Sequence, residues 1–161
     1  MPGNVVIAGA TITSALGPPA PWHSYLNVAR SLIAGVDHLP EDIGPTNAAH
    51  ALLCAHITEC LLKSFIAFNT RDDKALSSHG LRHSLSELWS LARSKGMPGE
   101  GETPEWVEQL HFLHDTPYFL RYSKGIHSFL VPNPQPARGE IKRLLSFVDN
   151  TLPADSTLPS Q

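Results

Sequence analysis

Residues 47–68 have the sequence NAAHALLCAHITECLLKSFIAF, and this segment decides the fold. Large apolar residues recur along it every three or four positions, which is the spacing of one face of an α-helix. These residues are Leu53, Ile57, Leu61, Phe65 and Phe68, and the face is widened by Leu52, Cys60 and Ile66. A helix with so wide an apolar face must be covered on several sides. We therefore predict that it is the central helix of a helical domain.

The polar residues of this helix form one stripe, which contains His56, Glu59 and Lys63. Glu59 and Lys63 have the acid-first spacing of four residues that favours an ion pair on a helix. A carboxylate in such an apolar helix needs a partner, since burial otherwise raises its pKa. Two roles fit Glu59: a polar cross-link that fixes the helix register, with Lys63 or Arg121 as partner, or part of a functional site.

Two further helices are predicted on either side of the central one. The first begins near Pro21 and ends before Pro40, because a residue that precedes proline avoids the helical conformation. The third helix begins after Ser84, which together with Glu87 forms a capping box. His83 then lies immediately before the helix cap.

The last two helices are marked by their first residues. Thr103 is the predicted N-cap of the fourth helix, with Pro104 in its first position, and Pro117 ends or bends it. The fifth helix is predicted over residues 136–152. Together these patterns indicate an all-α, four- to five-helix up-and-down bundle over residues 21–152.

The two ends of the chain are predicted to lie outside this bundle. Residues 1–20 form an N-terminal arm, in which Val5–Ile7 is either a short strand or a docking segment. Residues 153–161 form a disordered tail.

The length and charge of the chain limit the classes of function that it can have. The 161-residue chain fits one domain, and its formal net charge of −3 gives no overall signature of nucleic-acid binding. The charges of residues 98–115 are acidic, whereas those of residues 117–143 are basic apart from Glu140. The basic stretch is either an ordinary solvated surface or a local RNA-binding face. Its candidate RNA-binding residues are Lys124, Arg138, Lys142 and Arg143.

The cysteine pattern and the hydropathy point to the cytoplasm. Cys54 and Cys60 lie six residues apart in one helix and point to different sides of it, so they cannot bridge each other. Reduced, buried thiols are typical of cytosolic proteins. We also expect no signal peptide, and no segment long and apolar enough to span a bilayer.

Most common catalytic motifs are missing from the sequence. There is no P-loop, no GxGxxG loop, no GxSxG elbow and no HExxH motif. The pairs His79/His83 and His111/His114 have helical spacing, but neither pair has a third predicted ligand. We therefore expect no metal and no cofactor.

Residues 121–127, RYSKGIH, contain the most suggestive pair of functional side chains. Arg121 can hold a phosphate with its planar guanidinium. His127 can transfer a proton near neutral pH. Together such groups can bind and cleave a phosphodiester.

Three further stretches of the chain form a pattern: HALLCAHITECLLKSFI at residues 50–66, HGLRHSLSELW at residues 79–89 and FLRY at residues 119–122. In this order they resemble the HEPN domain family, a group of small α-helical proteins of prokaryotic defence and toxin–antitoxin systems. The first is similar to the E-x-x-L-K-A helix of that family, the second to its G-H-x-L-x-x-L motif, and the third to its R-Y pair. The resemblance covers roughly residues 45–150.

The resemblance implies a metal-independent ribonuclease that acts as a homodimer, with the motifs of both chains lining one cleft. Active members carry R-x(4–6)-H, which Arg121 and His127 match. In that scheme His127 deprotonates the ribose 2′-OH or protonates the leaving oxygen, and Arg121 stabilises the phosphate charge. Glu59, Lys63, His83 and Tyr122 form the supporting polar cluster.

The resemblance also allows a non-catalytic role. Some R-Y branches serve as modules that dimerise or bind a nucleotidyltransferase-like antitoxin partner, and Tyr122 and Gly125 differ from the usual active motif. In such a module Arg121 is expected to be buried against Glu59, with His127 pointing elsewhere. A small-molecule pocket between helices, lined by Trp22, Trp89 or Trp106, is a third alternative, although core packing is the ordinary role of such residues.

Overall fold

The computed structural model describes residues 4–7, 10–13, 20–40, 44, 46–99, 102–122 and 131–153. The described part contains five α-helices and a short 3₁₀ turn at Lys74–Ser77. The helices are α1 (Pro21–Val36), α2 (Asn47–Thr70), α3 (Leu85–Ser94), α4 (Glu105–His114) and α5 (Pro134–Thr151). The prediction of a helical bundle is thereby confirmed.

The central position predicted for the second helix is also confirmed, since α2 packs against all four other helices. Every residue from Ile57 to Ala67 is buried, so α2 is covered on all sides in this stretch. The core of the bundle lies along this helix. Polar side chains of α2 in the same stretch are therefore forced to find partners inside the protein.

The helix boundaries agree with the sequence patterns to within about two residues. Ser84 caps α3 as predicted, and its side chain accepts a hydrogen bond from the Glu87 backbone N–H at 3.4 Å. The α4 helix begins at Glu105, one residue later than predicted, because Pro104 has the extended backbone of a cap residue. The α5 helix begins at Pro134, where the Asn133 side chain accepts a hydrogen bond from the backbone.

The two ends of the chain differ in what the structure describes. Residues 5–7 fall in a strand, β1 (Asn4–Ile7), which pairs antiparallel with β2 (Ala10–Thr13). The sequence patterns did not predict the second strand. The predicted tail lies outside the described residues except for Pro153.

One expectation about membranes needs correction. The α2 helix is long and apolar enough, by length and composition, to cross a bilayer. However, 78% of its most apolar window is buried inside the protein. Its apolar character is thus explained by its central place in the bundle.

Candidate functional site

A buried carboxylate, that of Glu59, is the centre of the main polar cluster. Glu59 lies midway along α2 and is only 4% exposed. Its Oε1 accepts a hydrogen bond from Lys63 Nζ at 2.7 Å, one helical turn later. The same ammonium donates to the backbone oxygen of Arg82 at 2.7 Å. The predicted Glu59–Lys63 pair is therefore confirmed, and it also anchors the segment that precedes α3.

The second carboxylate oxygen of Glu59 faces three imidazoles. His114 Nε2 lies 2.7 Å from Oε2, and His83 Nδ1 lies 3.1 Å from it. His56 Nδ1, on the preceding turn of α2, is 3.9 Å away. These histidines come from the end of α4, the residue before the α3 cap and α2 itself. One oxygen atom therefore joins three parts of the fold.

The charge state of Glu59 follows from these neighbours. Burial by itself raises the pKa of the Glu59 carboxyl, but the imidazoles of His114 and His56 and the Lys63 ammonium outweigh that effect. The net result is a pKa well below the ordinary value. Glu59 is therefore a carboxylate at neutral pH, and the imidazoles of His83 and His114 donate hydrogen bonds to it.

The His83 imidazole is held mainly in its neutral form. Burial lowers its pKa, and the positive charge of Arg121 and the neighbouring His114 act in the same direction. The hydrogen bond and the charge of Glu59 oppose this shift only in part. A neutral His83 that donates from Nδ1 has an unprotonated Nε2.

Aromatic rings and a cation line the outer edge of the cluster. The His83 ring contacts the rings of His114 and Tyr118 edge-on, with centroids 5.6 and 5.7 Å apart. Arg121 is exposed, and its guanidinium lies 5.9 Å from the centre of the Tyr118 ring. Tyr122 is 60% exposed and lies 6.4 Å from Tyr118 between ring centres. We call these three residues, Tyr118, Arg121 and Tyr122, the aromatic–arginine edge.

The structure thus brings together most of the predicted supporting cluster. Glu59, Lys63 and His83 are in direct contact, and Tyr122 lies on the aromatic–arginine edge. Arg121 does not pair with Glu59, whose described partners are Lys63 and the three histidines. The predicted residues His127 and Lys124 lie outside the described residues.

The remaining predicted RNA-binding residues lie on α5 and differ in exposure. Lys142 and Arg143 are exposed, and they pair with Asp37 and Glu140 respectively. Arg138, in contrast, is buried. It follows Ala137 on the inward face of the helix, one turn before the buried Ile141.

Arg138 is the centre of a second polar cluster, which links α5 to α2 and to the end of α1. Its Nε donates to His50 Nε2 at 3.0 Å, and its Nη2 donates to the backbone oxygen of Leu39 at 2.6 Å. His50 Nδ1 in turn lies 3.5 Å from the Cys54 thiol. Burial, together with the Arg138 charge, lowers the pKa of His50. The Arg138 guanidinium is therefore an internal cross-link.

His114 was not predicted as a partner of Glu59. His114 was considered only as half of a histidine pair with His111. It lies four residues after the buried Leu110 and next to the buried Leu113, so the helical period already placed it on the inward face. His79, the partner of His83 in the other pair, is exposed.

Comparisons of the chain with protein-family models, curated proteins and solved structures found no match.

Proposed function

We propose that this protein is a HEPN-like RNA-binding protein that cleaves RNA without a metal ion, with Arg121 as its phosphate contact. The observation that carries the proposal is the aromatic–arginine edge, where an exposed cation lies beside two tyrosine rings. Proteins that bind single-stranded RNA combine cations for the backbone with aromatic rings on which bases stack. This edge offers both kinds of contact.

The surroundings of Glu59 support this proposal over the non-catalytic module. A module of that kind is expected to bury Arg121 against Glu59. In the described part of the chain the Glu59 carboxylate already forms hydrogen bonds with Lys63, His83 and His114. The Arg121 guanidinium is therefore left to bind an external anion, and a phosphate suits its planar donor geometry.

The cleavage step follows from the chemistry of RNA. His127, or its counterpart in the second chain of a homodimer, removes the proton of a ribose 2′-OH. The 2′-oxygen then attacks the adjacent phosphorus, and the bond to the 5′-oxygen breaks. The leaving oxygen receives a proton from an imidazolium, and the products are a 2′,3′-cyclic phosphate and a 5′-hydroxyl. Arg121 stabilises the charge on the phosphate during this exchange.

The Glu59 cluster has a positioning role in this scheme. It fixes the His83 ring, which packs against Tyr118, and Tyr118 lies under the Arg121 guanidinium. A chain of contacts thus runs from the buried carboxylate to the proposed phosphate contact. Because these contacts already hold the aromatic–arginine edge in place, RNA binding does not lose conformational entropy in ordering its side chains.

A cleavage assay tests the proposal. Labelled single-stranded RNA is incubated with purified protein in EDTA, and DNA of the same sequence serves as a substrate without the 2′-OH. We expect cleavage of the RNA only, and loss of cleavage in His127→Ala. Cleavage that persists in His127→Ala would overturn the role of His127. Binding of a nucleotidyltransferase-like partner without any RNA binding would favour the module instead.

The binding role of Arg121 is tested separately. Arg121→Ala is expected to weaken RNA binding and to reduce the slope of log affinity against log salt by about 0.7, the contribution of one phosphate contact to a single strand. Arg71→Ala is a matched control, because Arg71 is also exposed and also lies over an aromatic ring, that of Phe68. Equal losses of RNA affinity in Arg121→Ala and Arg71→Ala would mean that the loss comes from the lower positive charge of the protein and not from a specific contact of Arg121.

A further inference from the structure

We propose that His56, Glu59 and His114 form a binding site for a divalent transition-metal ion of the zinc type. Their ligand atoms, two imidazole nitrogens and one carboxylate oxygen, all lie within 4.8 Å of one another. Two histidines and one glutamate are a known zinc donor set, which leaves a fourth position open. The residues come from α2 and the end of α4, so a bound ion would connect these two helices.

The distances between the ligand atoms suit an ion of this size. Ligands about 2.0–2.2 Å from a tetrahedral zinc ion are separated from each other by roughly 3.3–3.5 Å. Glu59 Oε2 lies 2.7 Å from His114 Nε2 and 3.9 Å from His56 Nδ1, and these values bracket that separation. The ligand atoms of His56 and His114 lie within 4.8 Å of each other, so these two side chains would move closer together around a bound ion.

An unsatisfied nitrogen provides an independent reason for a ligand here. His56 Nδ1 is buried and has no hydrogen-bond partner among the described residues, although it faces Glu59 at 3.9 Å. That separation is too long for a hydrogen bond, but it is short enough for the two atoms to share a metal ion. Coordination would satisfy this nitrogen.

The groups around the site define how an ion would be held. Lys63 occupies Glu59 Oε1, which leaves Oε2 as the single carboxylate ligand and fixes its orientation. His114 would bind through Nε2 and carry its proton on Nδ1, a buried atom without a hydrogen-bond partner among the described residues. The Lys63 charge opposes the cation, so we expect weaker binding than at a site of several anionic ligands.

Of the three proposed ligands, His56 lies nearest to solvent. The His56 side chain is 41% exposed, whereas Glu59 and His114 are buried. His83, whose Nδ1 lies 3.1 Å from the same oxygen, is also partly exposed. Its imidazole is available as an outer hydrogen-bond partner of the carboxylate.

This proposal does not depend on the proposed ribonuclease activity. RNA cleavage is assigned to Arg121 and His127 and is tested in EDTA, where the ion is removed. The metal site is tested by binding to the protein without RNA. Either proposal can therefore fail while the other stands.

The test uses the metal-free full chain with Zn²⁺ in calorimetry and Co²⁺ in visible absorption spectroscopy. We expect one ion per chain, an absorption spectrum of low-symmetry Co²⁺, and a rise in melting temperature when Zn²⁺ is present. His56→Ala should weaken binding at least about tenfold, and its partial exposure makes it a variant that retains the fold. His114→Ala should do the same if circular dichroism shows that it is folded.

His79→Ala is the control, since His79 is an exposed histidine outside the cluster. It should bind both ions as the wild-type protein does. The absence of binding by the wild-type chain would overturn the proposal. So would equal binding by His56→Ala and the wild-type chain, because the ions would then occupy other surface histidines.

Discussion

Glu59 Oε2 lies 2.7 Å from His114 Nε2, although 55 positions separate the two residues along the chain. The contact joins the middle of α2 to the last residue of α4, and both side chains are buried. Because the other oxygen of Glu59 binds Lys63, this one carboxylate fixes α2 against α4 and against the segment before α3.

Removal of the Glu59 carboxylate is expected to destabilise the fold strongly. Glu59→Ala leaves the Lys63 ammonium buried without its anion, which typically costs about 3–5 kcal/mol. Urea unfolding at pH 7 measures the change. Glu102→Gln, at an exposed position, should change stability by less than about 0.5 kcal/mol. A stable Glu59→Ala protein would contradict the view that this ion pair holds the cluster together.

Two arginines on α5 are predicted to differ in their effect on stability. Arg138→Ala leaves His50 Nε2 and the Leu39 carbonyl without their donor, and we expect a loss of about 2–4 kcal/mol. Arg143 is 73% exposed and pairs with Glu140 on the same helix, so Arg143→Ala should cost less than about 1 kcal/mol. Similar denaturation midpoints for the two variants would rule out the cross-link.

The stability of the protein is expected to fall as the pH drops below the ordinary pKa of histidine. Burial lowers the folded-state pKa of His50 below 6.5, so the unfolded chain binds a proton first. The contribution of neutral His50 is therefore complete above pH 6.5 and is lost as the pH falls towards its folded-state pKa. Among the described residues His50 contacts Arg138 and Cys54, and neither of these contacts opposes this direction.

The His50 contribution can be isolated by measuring unfolding between pH 7.5 and 5.5. His50→Gln should lose less stability over this range than the wild-type protein. His79→Gln, which alters an exposed histidine, should keep the wild-type dependence. Since burial also lowers the pKa of His83, part of the pH dependence should remain in His50→Gln. Identical curves for wild-type and His50→Gln would contradict the prediction.

Both cysteines should be unreactive in the folded protein. Burial raises the pKa of Cys54 and of Cys60 to about 12. A thiolate is the reactive form of cysteine, and at pH 8 almost none is present at such a pKa. A thiol reagent should therefore label neither cysteine in native buffer and both in denaturant, as mass spectrometry can show. Rapid labelling of the native chain would contradict the burial of these residues.

The sequence by itself determined the helices and the central role of α2. The spacing of apolar residues over residues 47–68 depends only on the period of the helix, and the Ser84 cap and Pro21 start are local signals. The Glu59–Lys63 pair was predictable for the same reason, since both residues lie on one helix one turn apart.

Only the tertiary structure decided which residues meet across helices. Helical periodicity gives the face of its own helix on which each of Glu59, His114 and Arg138 lies, but the residue opposite each of them depends on how the helices cross and at what depth they pack. Sequence reasoning therefore considered Arg121 as a partner for Glu59, whereas the fold supplies His83 and His114. It likewise placed Arg138 among the RNA-binding candidates, whereas packing buries its guanidinium against His50.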